Sequence, residues 1–121
     1  MRRFLIIISL TMAFLCCSEG VPKGVLSAKK MTPILVDLHL AEGIYSQRYL
    51  QKITRDNYSE DLYLSVLKKH KVNQKVLEAS LLYYGKYPEK YKPIYDEVLN
   101  RLHVIEADFH VQDSIRRAKK R

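Results

Sequence analysis

Apolar residues recur at Met31, Ile34, Leu35, Leu38, Ala41, Tyr45 and Tyr49, in steps that place them on one face of a helix. The spacing predicts a helix over about residues 30 to 50, with Ser27 or Thr32 as its cap, Pro33 in its first turn and Gly43 as a soft spot. The polar stretch Thr54-Arg55-Asp56-Asn57 breaks this pattern. A second helix is expected on Tyr58, Leu62, Val66, Leu67 and His70, capped by Asp56 or Ser59. Asn73 reads as the cap of a third, short helix carrying Val76, Leu77, Leu81 and Tyr84 on one face, with Gly85 ending it in a left-handed conformation. Pro88 suits the first turn of a last and longest helix, which runs to about Lys119. In that helix Tyr91, Tyr95, Val98, Leu102, Ile105, Phe109 and Gln112 alternate steps of four and three, the seam of a coiled coil. The first helix, the other long one, is expected to cover this seam along its whole length. Glu97 with Arg101 and Asp113 with Arg117 then support an exposed outer face. If the shorter helices cover only its first half, the part beyond Leu102 projects and seeks another surface. The fold class that results is all-α, a small bundle of about four helices with a long C-terminal helix.

The chain begins differently. Arg2 and Arg3 precede an apolar run, Phe4 to Leu15, interrupted only by Ser9 and Thr11, the pattern of a secretory signal peptide. The run is too short for a permanent span, which needs about 20 residues. It ends at Cys16-Cys17-Ser18-Glu19 and resembles a bacterial lipoprotein signal. There a thiolate takes a diacylglyceryl group and the freed amine a further acyl chain such as palmitate; several chains hold a protein on a membrane where one does not. Cys17 is the preferred acceptor, because choosing Cys16 puts bulky Phe14 and Leu15 directly before the site. The chain has no other cysteine, so no disulfide framework is available. An ordinary secreted, non-lipidated helical protein is the alternative. Gly20, Pro22 and Gly24, in a stretch without periodicity, read as a tether. The expected organisation is thus signal peptide 1–16, tether 17–26, helical domain 27–112 and basic tail 113–121.

With 121 residues, 47% apolar and 28% charged, the chain suits one small packed domain rather than a multidomain enzyme or a disordered polymer. Its charge of +8, from 21 basic and 13 acidic residues, would suggest nucleic acid in a cytosolic protein. An exported chain cleaved before Cys17 keeps 19 basic against 13 acidic residues, a net of +6. That charge suits anionic lipid headgroups, envelope polymers or an acidic protein better than nucleic acid. The basic end, Arg116, Arg117, Lys119, Lys120 and Arg121, either rests on such a surface or complements the helix dipole.

The segments Met31 to Glu42 (MTPILVDLHLAE), Tyr63 to His70 (YLSVLKKH), Ser80 to Tyr84 (SLLYY), Pro88, and Ile94-Tyr95-Asp96 with Val98 resemble the Bacteroidota envelope lipoproteins that carry domain of unknown function 4296. The resemblance covers nearly all of residues 22 to 102. It implies a small helical lipoprotein domain of the cell envelope, on the outer rather than the inner membrane, with no established reaction. Gly43 and Lys71 depart from the family pattern, which favours a better helix former and a turn glycine there.

Two polar groups are candidates for chemistry. His103, Glu106 and His110 share one side of a helix and are the weak candidate for a metal site, but they fall on the outward flank of the seam. Asp37, His39 and Glu42 form the other, with Glu42 inside the apolar stripe, where a carboxylate needs a hydrogen-bonded partner. A buried strut is the favoured reading; a small enzyme or metal-dependent protein using His39 and Glu42 is the alternative. No nucleophile motif, HExxH or phosphate-cradling glycine loop is present. No cofactor is implied, and the favoured function is a non-catalytic binding or assembly component with an envelope protein as partner. Tyrosines gather around the last turn, where Tyr84, Tyr91 and Tyr95 are expected to pack inward and Tyr83 and Tyr87 to face a partner.

Overall fold

The computed structural model describes residues 20–52 and 57–120. The described residues contain no strand and form α1 (Ala28–Leu50), α2 (Tyr58–His70), α3 (Gln74–Lys86) and α4 (Pro88–Lys119). The signal peptide and the cysteines Cys16 and Cys17 lie outside the described residues, as do Asp56 and Arg121.

The caps follow local hydrogen bonding. Ser27 occupies the cap position of α1 without a side-chain bond. Its carbonyl accepts from the N–H groups of Lys30 and Met31 at 3.0 and 2.8 Å. Thr32 is not a cap: it lies inside the helix and returns its hydroxyl to the Ala28 carbonyl at 3.0 Å. For α2 the cap position is Asn57, which puts Ser59 in the first turn beside Glu60 and Asp61 at the positive end of the helix dipole. Asn73 caps α3, its Oδ1 accepting from the Lys75 N–H at 2.8 Å. Gly85 does not end α3, because one residue, Tyr87, caps both α3 and α4 and leaves no space for a left-handed exit. Pro88 takes the first position of α4, where its missing N–H costs nothing.

The core joins Met31, Ile34, Leu35 and Val36 of α1 to Val66 and Leu67 of α2, Leu77 and Tyr84 of α3, and Ile94 and Val98 of α4. α1 packs against both α2 and α4, and α3 packs on α4. The end of the expected tether also belongs to this core. Leu26 is buried, with Val21 and Val25 packed beside it. Its N–H donates to Ser80 Oγ at 2.8 Å and its carbonyl accepts from the Tyr84 hydroxyl at 2.9 Å. A turn at Gly24, whose φ of +83° favours glycine, brings the segment round, closed by the Val25 N–H on the Pro22 carbonyl at 3.1 Å. The folded body therefore begins before residue 27, because α3 offers two buried polar groups that satisfy the Leu26 backbone.

The expectation that α1 covers the whole seam of α4 is overturned. Ala28 and Thr32 lie beside Ile94, Glu97 and Arg101, Val36 beside Asn100 and Val104, and His39 against the ring of Tyr95 at 6.2 Å. α1 thus meets α4 only near Pro93 to Ile105, and its later residues Leu38, Ala41 and Tyr45 turn to Leu62 and Tyr63 of α2. Length does not decide this, since the 23 residues of α1 span roughly 35 Å at about 1.5 Å per residue, enough for the seam from Tyr91 to Gln112; direction does, because the second half of α1 is turned to α2. Beyond the half-buried Leu102 the helix leaves the body as an arm.

Gly43 lies on the exposed side of α1, and a Cβ there meets nothing within 4 Å. Gly43→Ala is expected to raise the unfolding free energy by about 0.5 to 1 kcal/mol, read from the midpoint of a urea titration.

Candidate functional site

The polar centre of the domain is Asp37. It stands on the side of α1 that faces the end of α2, and its side chain is 18% exposed. Asp37 Oδ2 accepts from Lys69 Nζ at 2.7 Å and contacts His70 Nε2 at 2.5 Å. Burial pushes the Asp37 carboxyl upward, but the hydrogen bonds and charges of Lys69 and His70 outweigh it and hold the group below the usual carboxylate range. Beside this cluster opens a groove of about 530 Å³, lined by Pro33, Val36, Asn100, Arg101, Val104 and Ile105 as well as the three polar residues. It sits where α4 leaves the body.

The polar group expected around Asp37, His39 and Glu42 is therefore divided. Asp37 joins α2, while His39 faces Glu42 at 3.9 Å and the Tyr95 ring. Glu42 is not a buried strut: its side chain is 76% exposed. It rims a small groove with Leu38, Tyr45 and Tyr63, at a level where α1 is covered by α2 alone and the carboxylate reaches water. The partner that sequence reasoning missed, His70, closes the apolar stripe of α2. A polar residue ending such a stripe raises the same demand for a partner that was read into Glu42.

The weak metal candidate does not assemble. His110 faces Glu106 at 3.8 Å on the exposed arm. Among the described residues no group of three or more His, Cys, Asp or Glu converges on a metal position.

The tyrosines form a staircase around the α3–α4 junction. Tyr84 is buried and Tyr91 and Tyr95 are half-buried. Tyr87 is exposed, but Tyr83 is half-buried and its hydroxyl is engaged by Lys90 Nζ at 2.7 Å. Lys90 also stands over the rings of Tyr83 and Tyr87, at 5.2 and 4.8 Å from their centroids. The bond to Tyr83 raises the Lys90 pKa. These contacts fix the junction and leave Tyr87 as its outward ring.

The arm carries a run of exposed large apolar side chains. Val104, Ile105, Phe109, Val111 and Ile115 are all between 40% and 65% exposed. Around them Arg101 pairs with Glu97 at 2.7 Å and Arg117 with Asp113 at 2.6 Å. Arg116, Lys119 and Lys120 extend the basic end past the apolar face.

A family model described as Domain of unknown function (DUF4296) matches residues 22–108. No curated protein and no solved structure matches the chain. The matched span opens inside the segment pinned to α3, takes in α1, α2 and α3 entire, and closes on the arm before its basic end. The chain therefore belongs to the DUF4296 family, whose domain here is a four-helix body built around Asp37 with α4 extended beyond it.

Proposed function

We propose that this protein is a lipid-anchored component of the cell envelope that binds a partner protein and catalyses no reaction. The observation that carries the reading is the arm of α4, where Val104 and Ile105 leave the body half-exposed and Phe109, Val111 and Ile115 follow on exposed helix. Val104, Val111 and Ile115 form one exposed stripe along it and Ile105 and Phe109 a second, and exposed apolar side chains gathered in this way mark an interaction site. Its alternating spacing suits a helical partner laid along it. The anchor is read from the run Phe4 to Leu15 followed by Cys16 and Cys17. Since packing begins at Val21, an acylated Cys17 would hold the body close against the membrane, the outer one in this reading. The non-catalytic reading is supported by the openness of the His39–Glu42 pair, which lacks the dry surroundings that tune a general base.

The test is to crosslink intact envelopes containing the tagged chain, purify it in detergent and identify what accompanies it. A stoichiometric protein is expected with the wild type and is expected to be lost from Phe109→Asp/Val111→Asp. The loss corresponds to about 2 kcal/mol or more of binding free energy, with the melting temperature unchanged because both side chains are already exposed. Recovery of the same partner with the double variant, or of the chain alone from wild type, overturns the binding role. Clickable fatty-acid label should enter the wild type and not Cys17→Ala; label in neither overturns the anchor independently.

A further inference from the structure

A second groove, of about 730 Å³, lies between the first turn of α1 and the connector from α2 to α3. Its rim carries Lys29, Lys30 and Lys71, and its lining contains no carboxylate. Among the described residues none of these lysines forms an ion pair, unlike Lys69, Lys92, Arg101 and Arg117, which each have an acidic partner. Asp37, next to His70, is already held by Lys69 and His70, and Glu97, which lines the neighbouring groove with Lys29, is paired with Arg101. Three lysines from two separate parts of the chain thus line one groove whose lining holds no carboxylate, an arrangement that raises the local concentration of anions. The backbone adds a second sign. Lys71 has φ +53°, a left-handed conformation that glycine enters freely and lysine does not. At this position the chain carries a cation on the groove where glycine would relax the backbone.

The rest of the lining narrows the ligand. Pro33, Val72 and Val76 give the groove an apolar floor, and the aromatic ring in its lining, His70, is already engaged by Asp37. Lysine is a compact point charge suited to a phosphate. We propose that this groove binds the phosphate of an anionic lipid headgroup, with Lys29, Lys30 and Lys71 on the phosphate and the floor beneath the glycerol and first chain carbons. Leu26 and Ser27 form one edge of the groove, so the segment arriving from the N-terminus enters beside it. The membrane's proximity rests on the anchor proposed above; the phosphate chemistry does not.

The experiment therefore uses dissolved lipid. The full chain, purified in a neutral maltoside detergent, is titrated with dihexanoyl phosphatidylglycerol, dihexanoyl phosphatidylcholine and inorganic phosphate, and binding is read from the amide resonances of Val72 and Asn73. Saturable binding of phosphatidylglycerol, tighter than of the other two, is expected. Lys29→Ala/Lys30→Ala should weaken it about thirty-fold, and the equally charge-depleted Lys119→Ala/Lys120→Ala should leave it unchanged. Lys71→Gly should weaken it about five-fold while raising the melting temperature by roughly 4 °C, a combination that misfolding does not produce. Equal binding of the two lipids, an equal loss in the tail variant, or absence of saturation overturns the proposal. Inorganic phosphate bound as tightly as the lipid overturns the lipid assignment in favour of a free anion.

Discussion

Replacing Ser80 by Ala and Tyr84 by Phe together is expected to lower the unfolding free energy by about 3 kcal/mol, a large effect for a change that removes only two oxygens. Each hydroxyl satisfies one backbone group of the same buried residue: Ser80 Oγ accepts from the Leu26 N–H and the Tyr84 hydroxyl donates to the Leu26 carbonyl. A buried backbone group stripped of its partner costs about 1 to 3 kcal/mol, because water cannot replace the lost bond without opening the core. Each single variant should lose about 2 kcal/mol. The double variant should fall somewhat short of their sum, since a Leu26 freed on one side can shift to rehydrate the other. Urea unfolding measures the loss, and hydrogen exchange at the Leu26 amide should accelerate in both single variants. A double variant within 1 kcal/mol of wild type would return residues 20–26 to a tether. The start of the family match at residue 22 argues for the pin, since it places this segment inside the domain.

This pin also shows where the sequence is readable. The helices could be read from periodicity because each buries one face, and Asn73 and Pro88 could be read because a cap is settled by residues within one turn. Leu26 could not: its partners lie 54 and 58 residues away, and a stretch holding Gly20, Pro22 and Gly24 has no period to betray packing. The same limit applies to Asp37. Its place on α1 was legible, but its partner was chosen by how α2 returns against α1, and that angle moved the polar centre from Glu42 to His70. The coiled-coil spacing of α4 was legible throughout. What covers it was not, because seven-residue periodicity records that a face is apolar and says nothing of which part of it meets the body. The acylation signal expected at Cys16 and Cys17 lies outside the described residues.

Asp37→Ala is expected to cost about 2 kcal/mol near neutral pH, since it removes the acceptor of Lys69 and the partner of His70 in a largely buried corner. Asp37→Asn should cost less, because the amide oxygen can still accept one bond while the charge is lost. The pH dependence separates charge from shape. Burial raises the Asp37 pKa, but Lys69 and His70 lower it further, so the folded value lies below that of the unfolded chain. The folded state then holds the proton less tightly than the unfolded one, and the stabilisation is complete above the ordinary aspartate range, about pH 4. It disappears as pH falls through the lowered folded value. The gap in stability between wild type and Asp37→Asn should accordingly shrink as pH falls from about 5 through the lowered folded value. A gap that widens as pH falls would mean that Asp37 is held for its shape and not its charge. Because Asn100, Arg101, Val104 and Ile105 line the same groove, Asp37 also stands at the root of the arm. Loosening this corner should weaken partner capture in Asp37→Ala even at temperatures where the body stays folded, whereas the arm variant Phe109→Asp/Val111→Asp weakens capture with no change in stability. The two variants then distinguish a partner that needs only the apolar face from one that also needs the angle at which α4 leaves the body.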